Sequence, residues 1–74
     1  MKVIVKAGSW ADKYVKGRSE IDLPENATVM DAIITLDIPI DDVGFAVIDS
    51  IAMRKDYPLK NGNIITLHPT IVGG

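Results

Sequence analysis

At 74 residues and 47% hydrophobic, the chain has room for one domain and enough apolar side chains for one compact core, which in a domain this small covers only about 60% of the unfolded surface. With no cysteine, a disulfide framework, a zinc-thiolate site and a cysteine nucleophile are all excluded. The net charge of −2 and scattered lysines argue against nucleic acid, and the lack of any apolar run near ~18 residues argues against a membrane span, so a cytoplasmic location is expected.

Val3, Ile4 and Val5, with Lys2 and Lys6 outside them, predict a first strand. Gly8 and Gly17 then bracket a stretch in which Ser9 can cap a turn of helix carrying Trp10 and Tyr14 at i and i+4, with Trp10 as a lid over the edge of the core. From Arg18 to Leu23, Ile21 and Leu23 alternate with Glu20 and Asp22, which predicts a second strand antiparallel to the first. Pro24-Glu25-Asn26 turns the chain into a helix at Thr28, whose hydroxyl can cap while Asp31 completes a capping box. Val29, Ile33 and Leu36 make an apolar stripe that Met30 and Ile34 widen. Pro39 disfavours helix at Ile38, so the helix should end near Asp37 after about nine residues, too short to stand without a sheet beneath it.

Asp41-Asp42-Val43-Gly44 reads as a turn into a third strand, Phe45 to Ile48. Neighbouring carboxylates on a turn rarely converge on one ion, and neither a histidine nor a third acid is close in sequence, so no metal is expected there. Asp49-Ser50 has the spacing of a tight hairpin to a short fourth strand, Ile51 to Met53. In the connector Asp56 to Asn63, Pro58-Leu59 suggests a 3-10-like turn with Leu59 plugged inward, and Asn61-Gly62 supplies the positive φ that reverses the chain. The last strand, Ile64 to His68, sets Ile65 and Leu67 against Thr66 and His68, and Pro69 ends it by removing a ladder donor. The helical crossover requires one covered sheet face, and burial is greatest in a mixed sheet with the first and last strands parallel in the middle.

Past Pro69 come Thr70-Ile71-Val72-Gly73-Gly74, expected to be a flexible tail, residues 70–74, on a domain of residues 1–69. Fully extended, such a tail could reach roughly 17 Å, about the depth of an enzyme pocket. Gly73 and Gly74 lack Cβ atoms and can pass a constriction closed to any side chain. Ile71 and Val72 lie where no core is expected to hold them, which marks them with Ile64 and Phe45 as a candidate apolar docking patch; Phe45 fits the core as well. His68, the sole histidine, cannot build a metal site within one chain and is expected at the tail's root, where a partner could touch it. Nowhere do a nucleophile, a base and an orienting group occur together, so the chain does not read as an enzyme.

Four segments, in this order and spacing, carry a resemblance: Met1-Lys2-Val3-Ile4-Val5; Leu23-Pro24-Glu25-Asn26-Ala27-Thr28-Val29; Pro58-Leu59-Lys60-Asn61-Gly62-Asn63; and Pro69-Thr70-Ile71-Val72-Gly73-Gly74. Together they anchor nearly the whole chain, which resembles the ubiquitin-like, or β-grasp, sulfur-carrier proteins. Among these it is most similar to the small subunit of molybdopterin synthase, with the thiamine sulfur carrier as a cousin. It departs from their pattern at Asp49-Ser50, where an Asn-Gly turn is frequent, at Asn63 for aspartate, and at His68 for an aromatic residue.

The resemblance implies an α+β β-grasp fold: a mixed sheet of about five strands, one main helix across one face, and a free C-terminal tail. It implies that Gly74 is a substrate, its carboxylate adenylated at the expense of ATP by a ubiquitin-activating-type enzyme and then converted to a thiocarboxylate that donates sulfur in cofactor biosynthesis. A larger synthase subunit holding a pterin precursor would supply the catalytic side chains, and the carrier itself would bind no cofactor and no metal. Gly73, Val72, Ile71, Thr70, His68, Ile64 and Phe45 would then be the residues that partners read. A thiamine sulfur carrier, a ubiquitin-like protein modifier, and a β-grasp binding module whose tail is never activated share the same sequence features.

Overall fold

The structure, a computed structural model, describes residues 1–71. It is built on one five-stranded sheet in the order β2-β1-β5-β3-β4: β1 is Lys2–Ala7, β2 Arg18–Asp22, β3 Val43–Ile48, β4 Ile51–Met53 and β5 Ile64–Pro69. β1 runs parallel to β5, as expected, in the register Ile4 to Ile64 and Ala7 to Leu67, and every other pairing is antiparallel. Alternation decides which residues face the core. Val3, Val5 and Ala7 from β1, Ile65 and Leu67 from β5, and Ala46 and Ile48 from β3 are all buried on one face of the sheet.

Helix α1, Val29–Thr35, covers that face with Val29, Ala32 and Ile33, all of them fully buried. The capping box is present as anticipated. The Asp31 amide donates to Thr28 Oγ1 (3.3 Å), and the Thr28 amide donates to the Asp31 carboxylate (2.8 Å). The helix is shorter than expected, seven residues, because it stops before Pro39 can act. Asp37 takes a left-handed φ of 58°, its amide donates to Ile34 O and the Ile38 amide donates to Ile33 O, so a Schellman-type closure ends the helix and tucks Ile38 into the core. The stripe is also narrower than predicted: Ile34 is 52% exposed and Leu36 only half-buried.

Three loops differ from the sequence reading. The helical turn after Gly8 is a single 3-10 turn, Ser9–Ala11, with no side-chain cap from Ser9; Ala11 is its buried residue and Val15, beyond the turn, is buried too, while Trp10 and Tyr14 pack half-buried against the core edge. Pro58 forms an isolated bridge with Thr28 and the Leu59 amide donates to Ala27 O, so Leu59 is plugged inward by an extended contact and not by a 3-10 turn. β3 begins at Val43, two residues earlier than expected, with a bulge between Val43 and Phe45. The hairpin at Asp49-Ser50 is as read: both residues hold positive φ, 52° and 66°, as a two-residue type I′ turn demands. Gly62, with φ of 87°, supplies the expected reversal into β5. Among the described residues no helix is long and apolar enough to cross a membrane.

Candidate functional site

The side chains of β5 that do not enter the core point to the sheet's other face, which no helix among the described residues covers. Ile64, Thr66 and His68 stand there in a row about 13 Å long at strand spacing. Ile4 of β1 lies beside Ile64, and Val47 of β3 lies beside Thr66, so the row widens into an apolar stripe over the middle strands. Ile64 is 46% exposed and Phe45 37% exposed. Phe45 is therefore a residue of the open face and not of the core, which decides between the two positions its sequence allowed.

The bulge explains why counting from Val43 and counting from Ala46 place Phe45 on opposite faces. Ala46 and Ile48 face the core, so period-2 counting from them places Phe45 and Val47 on the open face and would expose Val43 as well; the extra residue at Gly44 resets the parity and buries Val43, while Phe45 stands outward opposite His68. There the two rings stack face to face, with centroids 4.8 Å apart and planes inclined by 9°. His68 is half-buried beneath this contact.

At the end of β5 the chain does not leave the fold at Pro69. Pro69 still lies opposite Val43, and Thr70 makes two further hydrogen bonds: its amide donates to Asp42 O (2.9 Å) and its hydroxyl to Asp41 O (2.6 Å). Both carbonyls belong to a 3-10 turn, Ile40–Asp42, that leads into β3. Gly44 allows the close approach. A Cβ there would stand 2.8 Å from Pro69 O and 3.2 Å from Thr70 Cα, closer than a side chain tolerates. Beside this junction is an open cleft of about 320 Å³ bordered by Trp10, Asp41, Asp42, Pro69 and Thr70. Ile71, the next residue, is 84% exposed; Val72, Gly73 and Gly74 lie outside the described residues.

The residues singled out from sequence thus fall into three groups. Phe45, Ile64 and His68 share the open face; Thr70 and Ile71 follow at its end; Val72, Gly73 and Gly74 carry no geometry. Sequence reasoning passed over Ile4, Val47 and Gly44. Ile4 was legible, since it alternates with Val3 and Val5, but Gly44 could be recognised only once β3 and β5 were seen side by side. The polar end of the open face lies on β1 and β2, where Lys2 sits 3.4 Å from Asp22 and 3.6 Å from Glu20. The hydrogen bond and charge of Asp22, and then the charge of Glu20, hold the Lys2 ammonium above the ordinary lysine range. Asp41 and Asp42 are exposed on their turn, and among the described residues no three His, Cys, Asp or Glu side chains group as a metal site would need.

No family model matches this sequence, and no curated protein does. Solved structures do match over nearly the whole chain. The H. volcanii small archaeal modifier protein 1 is 16% identical at a TM-score of 0.75, with 95% of this chain and 98% of that one covered. A putative molybdopterin converting factor, subunit 1, from Pyrococcus furiosus is 23% identical at a TM-score of 0.74, covering 96% and 99%. A ubiquitin-like protein from Caldiarchaeum subterraneum is 18% identical at a TM-score of 0.56, covering 99% and 100%. With a mixed sheet centred on parallel β1 and β5, one helix across a single face, and these neighbours, the chain has the ubiquitin-like β-grasp fold.

Proposed function

We propose that this protein is a sulfur carrier whose Gly74 carboxylate is activated by a ubiquitin-activating-type enzyme and donated as a thiocarboxylate, most fittingly as the small subunit of a molybdopterin synthase. The observation that carries the reading is the course of β5. The central strand runs out beside an exposed apolar stripe, past an exposed Ile71, toward Gly73-Gly74. The fold shared with a putative molybdopterin converting factor subunit supports it further.

A carboxylate is a poor electrophile, so the chemistry needs two steps. In the first, a Gly74 carboxylate oxygen attacks the α-phosphorus of ATP and pyrophosphate leaves, giving an acyl-adenylate. In the second, a sulfide-level donor attacks the acyl carbon and AMP leaves, so one C–O bond is replaced by one C–S bond and the product is a thiocarboxylate. The carrier contributes no catalytic side chain to either step and holds no cofactor; ATP belongs to the activating enzyme. Its contribution is a surface. Phe45, Ile64 and His68 dock against a partner while Thr70, Ile71, Val72 and Gly73 lead Gly74 into a narrow site, where excluded water protects the activated carbonyl. A larger synthase subunit receives the sulfur onto a pterin precursor.

Intact mass spectrometry tests the proposal. Incubation with ATP, an activating enzyme and sulfide should exchange one oxygen for sulfur, and removing Gly74 or adding one residue after it should abolish the exchange without moving the melting temperature. An unchanged mass in the unaltered protein would mean a β-grasp module that is not activated. A second reading, a protein modifier with Gly74 joined to target lysines, is favoured by the fold shared with small archaeal modifier protein 1. Both readings pass through the adenylate. A denaturing gel from the native cell separates them, since covalent ladders report a modifier and a single small species reports a carrier.

A further inference from the structure

Three successive carbonyl oxygens of one short turn are each taken by a group from elsewhere in the chain. Ile40 O accepts from Lys55 Nζ (3.0 Å), Asp41 O from the Thr70 hydroxyl (2.6 Å), and Asp42 O from the Thr70 amide (2.9 Å). Lys55 follows β4 and its backbone carbonyl also accepts from the Met30 amide at the start of α1, so the turn is tied on one side to the helix and on the other to the end of β5. Ile40 O also accepts from the Val43 amide within the turn, whereas the Asp41 and Asp42 carbonyls would otherwise be left to water. Gly44, two residues on, is the position that lets Pro69 and Thr70 come close enough to reach them.

We propose that the Ile40–Asp42 turn is a carbonyl anchor that fixes the direction in which the chain leaves the sheet, with Thr70 as the latch, Gly44 as the clearance and Lys55 as the brace. None of the three touches a reacting atom; all are positioning residues. The role assigned to the anchor rests on the carrier reading. An activating enzyme must thread the last residues into its site, and a root that frays reduces the fraction of carrier able to enter, which raises the apparent KM by the inverse of that fraction and leaves kcat nearly unchanged. The anchor thereby acts on recognition and not on the chemical step.

The full chain serves for the test, with Thr70→Val removing the hydroxyl at constant shape and Thr70→Ser restoring it. Hydrogen exchange needs no partner: the Thr70 amide of T70V should exchange about three- to tenfold faster, T70S should match the unaltered chain, and the Leu67 amide should stay as protected as before. Lys55→Met, which keeps the stem and removes the ammonium, should move the Thr70 amide in the same direction by a smaller factor. Pyrophosphate exchange with the activating enzyme, measured against carrier concentration, should show T70V raising KM about twofold or more at nearly constant kcat, with T70S rescuing it. Unchanged amide exchange in T70V overturns the anchor itself. Faster amide exchange with unchanged KM overturns its role in recognition. If the unaltered chain supports no pyrophosphate exchange at all, the carrier reading fails and takes that role with it, while the amide data still decide whether the turn holds the root.

Discussion

The two faces of the sheet are made from the same strands and meet opposite surroundings. On the covered face, Val3, Val5, Ile65 and Leu67 lie under α1 with essentially no solvent contact. On the open face, Ile64 and Phe45 are equally apolar but exposed, and Ile4 and Val47 beside them are only half-buried. Strand alternation thus assigns residues to the buried and the open face in turn along β5, and under the carrier reading the open face is left for recognition. A mutation's consequence should follow from its parity more than from its residue type.

The largest effect is expected from Leu67→Ala. The side chain is fully buried in the central strand, and its loss should cost about 2 to 5 kcal/mol in a denaturant unfolding experiment. A near-neutral result would sink the assignment of the two faces. Across the sheet, Phe45→Ala should cost only about 1 kcal/mol, because the ring is partly in water and its main partner is the stacked His68. A double-mutant cycle with His68→Ala reads that contact directly, and a coupling indistinguishable from zero would show that the stack is incidental. Under the docking reading, the same Phe45→Ala chain should lose affinity for its partner by far more than its small loss of stability suggests, whereas Leu67→Ala should lose affinity only as it unfolds.

Within α1 the same contrast recurs between adjacent residues. Ile33 is fully buried and Ile34 is half in water, so Ile34→Ala should lower stability by no more than about 0.5 kcal/mol, far below an equivalent change at Ile33. A loss at Ile34 as large as that at Leu67 would mean that the helix is rotated from the position described. This is the pair on which the sequence alone misleads. A stripe drawn through Val29, Ile33 and Leu36 admits Met30 and Ile34 as flanks, but Ala32 fills the place instead, since a helix lying close on a sheet favours a small residue at the contact.

How legible the rest was depends on distance along the chain. Strands, the capping box of Thr28 and Asp31, the Asp49-Ser50 turn and the parallel pairing of β1 with β5 all follow from local pattern or from the crossover, and all are present. The bulge at Gly44 is different. It depends on how β3 meets β5, 26 residues away in sequence by the pairing of Val43 with Pro69, and no window around Gly44 contains that information. Because the bulge breaks the parity between Val43 and Ala46, the sequence left Phe45 between core and surface. The Thr70 latch was hidden for the same reason, since its acceptor at Asp41 lies 29 residues earlier in the chain and the one at Asp42 is next to it. Local chemistry and the pairing that the crossover imposes were readable; the contact geometry of the bulge and of the Thr70 latch was not.

The smallest effect should come from the polar end of the open face, and its sign can be fixed in advance. Lys2 lies between Asp22 and Glu20 with its side chain largely in water, so its pairs are screened and weak. Its pKa is raised in the folded state, chiefly by the Asp22 hydrogen bond and charge. A base stabilised in this way contributes fully below its unfolded pKa and loses the contribution as pH rises through the folded value, so the effect is present at neutral pH and fades only in the alkaline range. Lys2→Met should therefore lower the urea midpoint slightly at neutral pH, and the gap to the unaltered chain should close both in strong salt and at alkaline pH. A gap that persists in salt would assign the loss to the packing of the lysine stem along β1, and the open face would then draw some stability from contact even at its charged end.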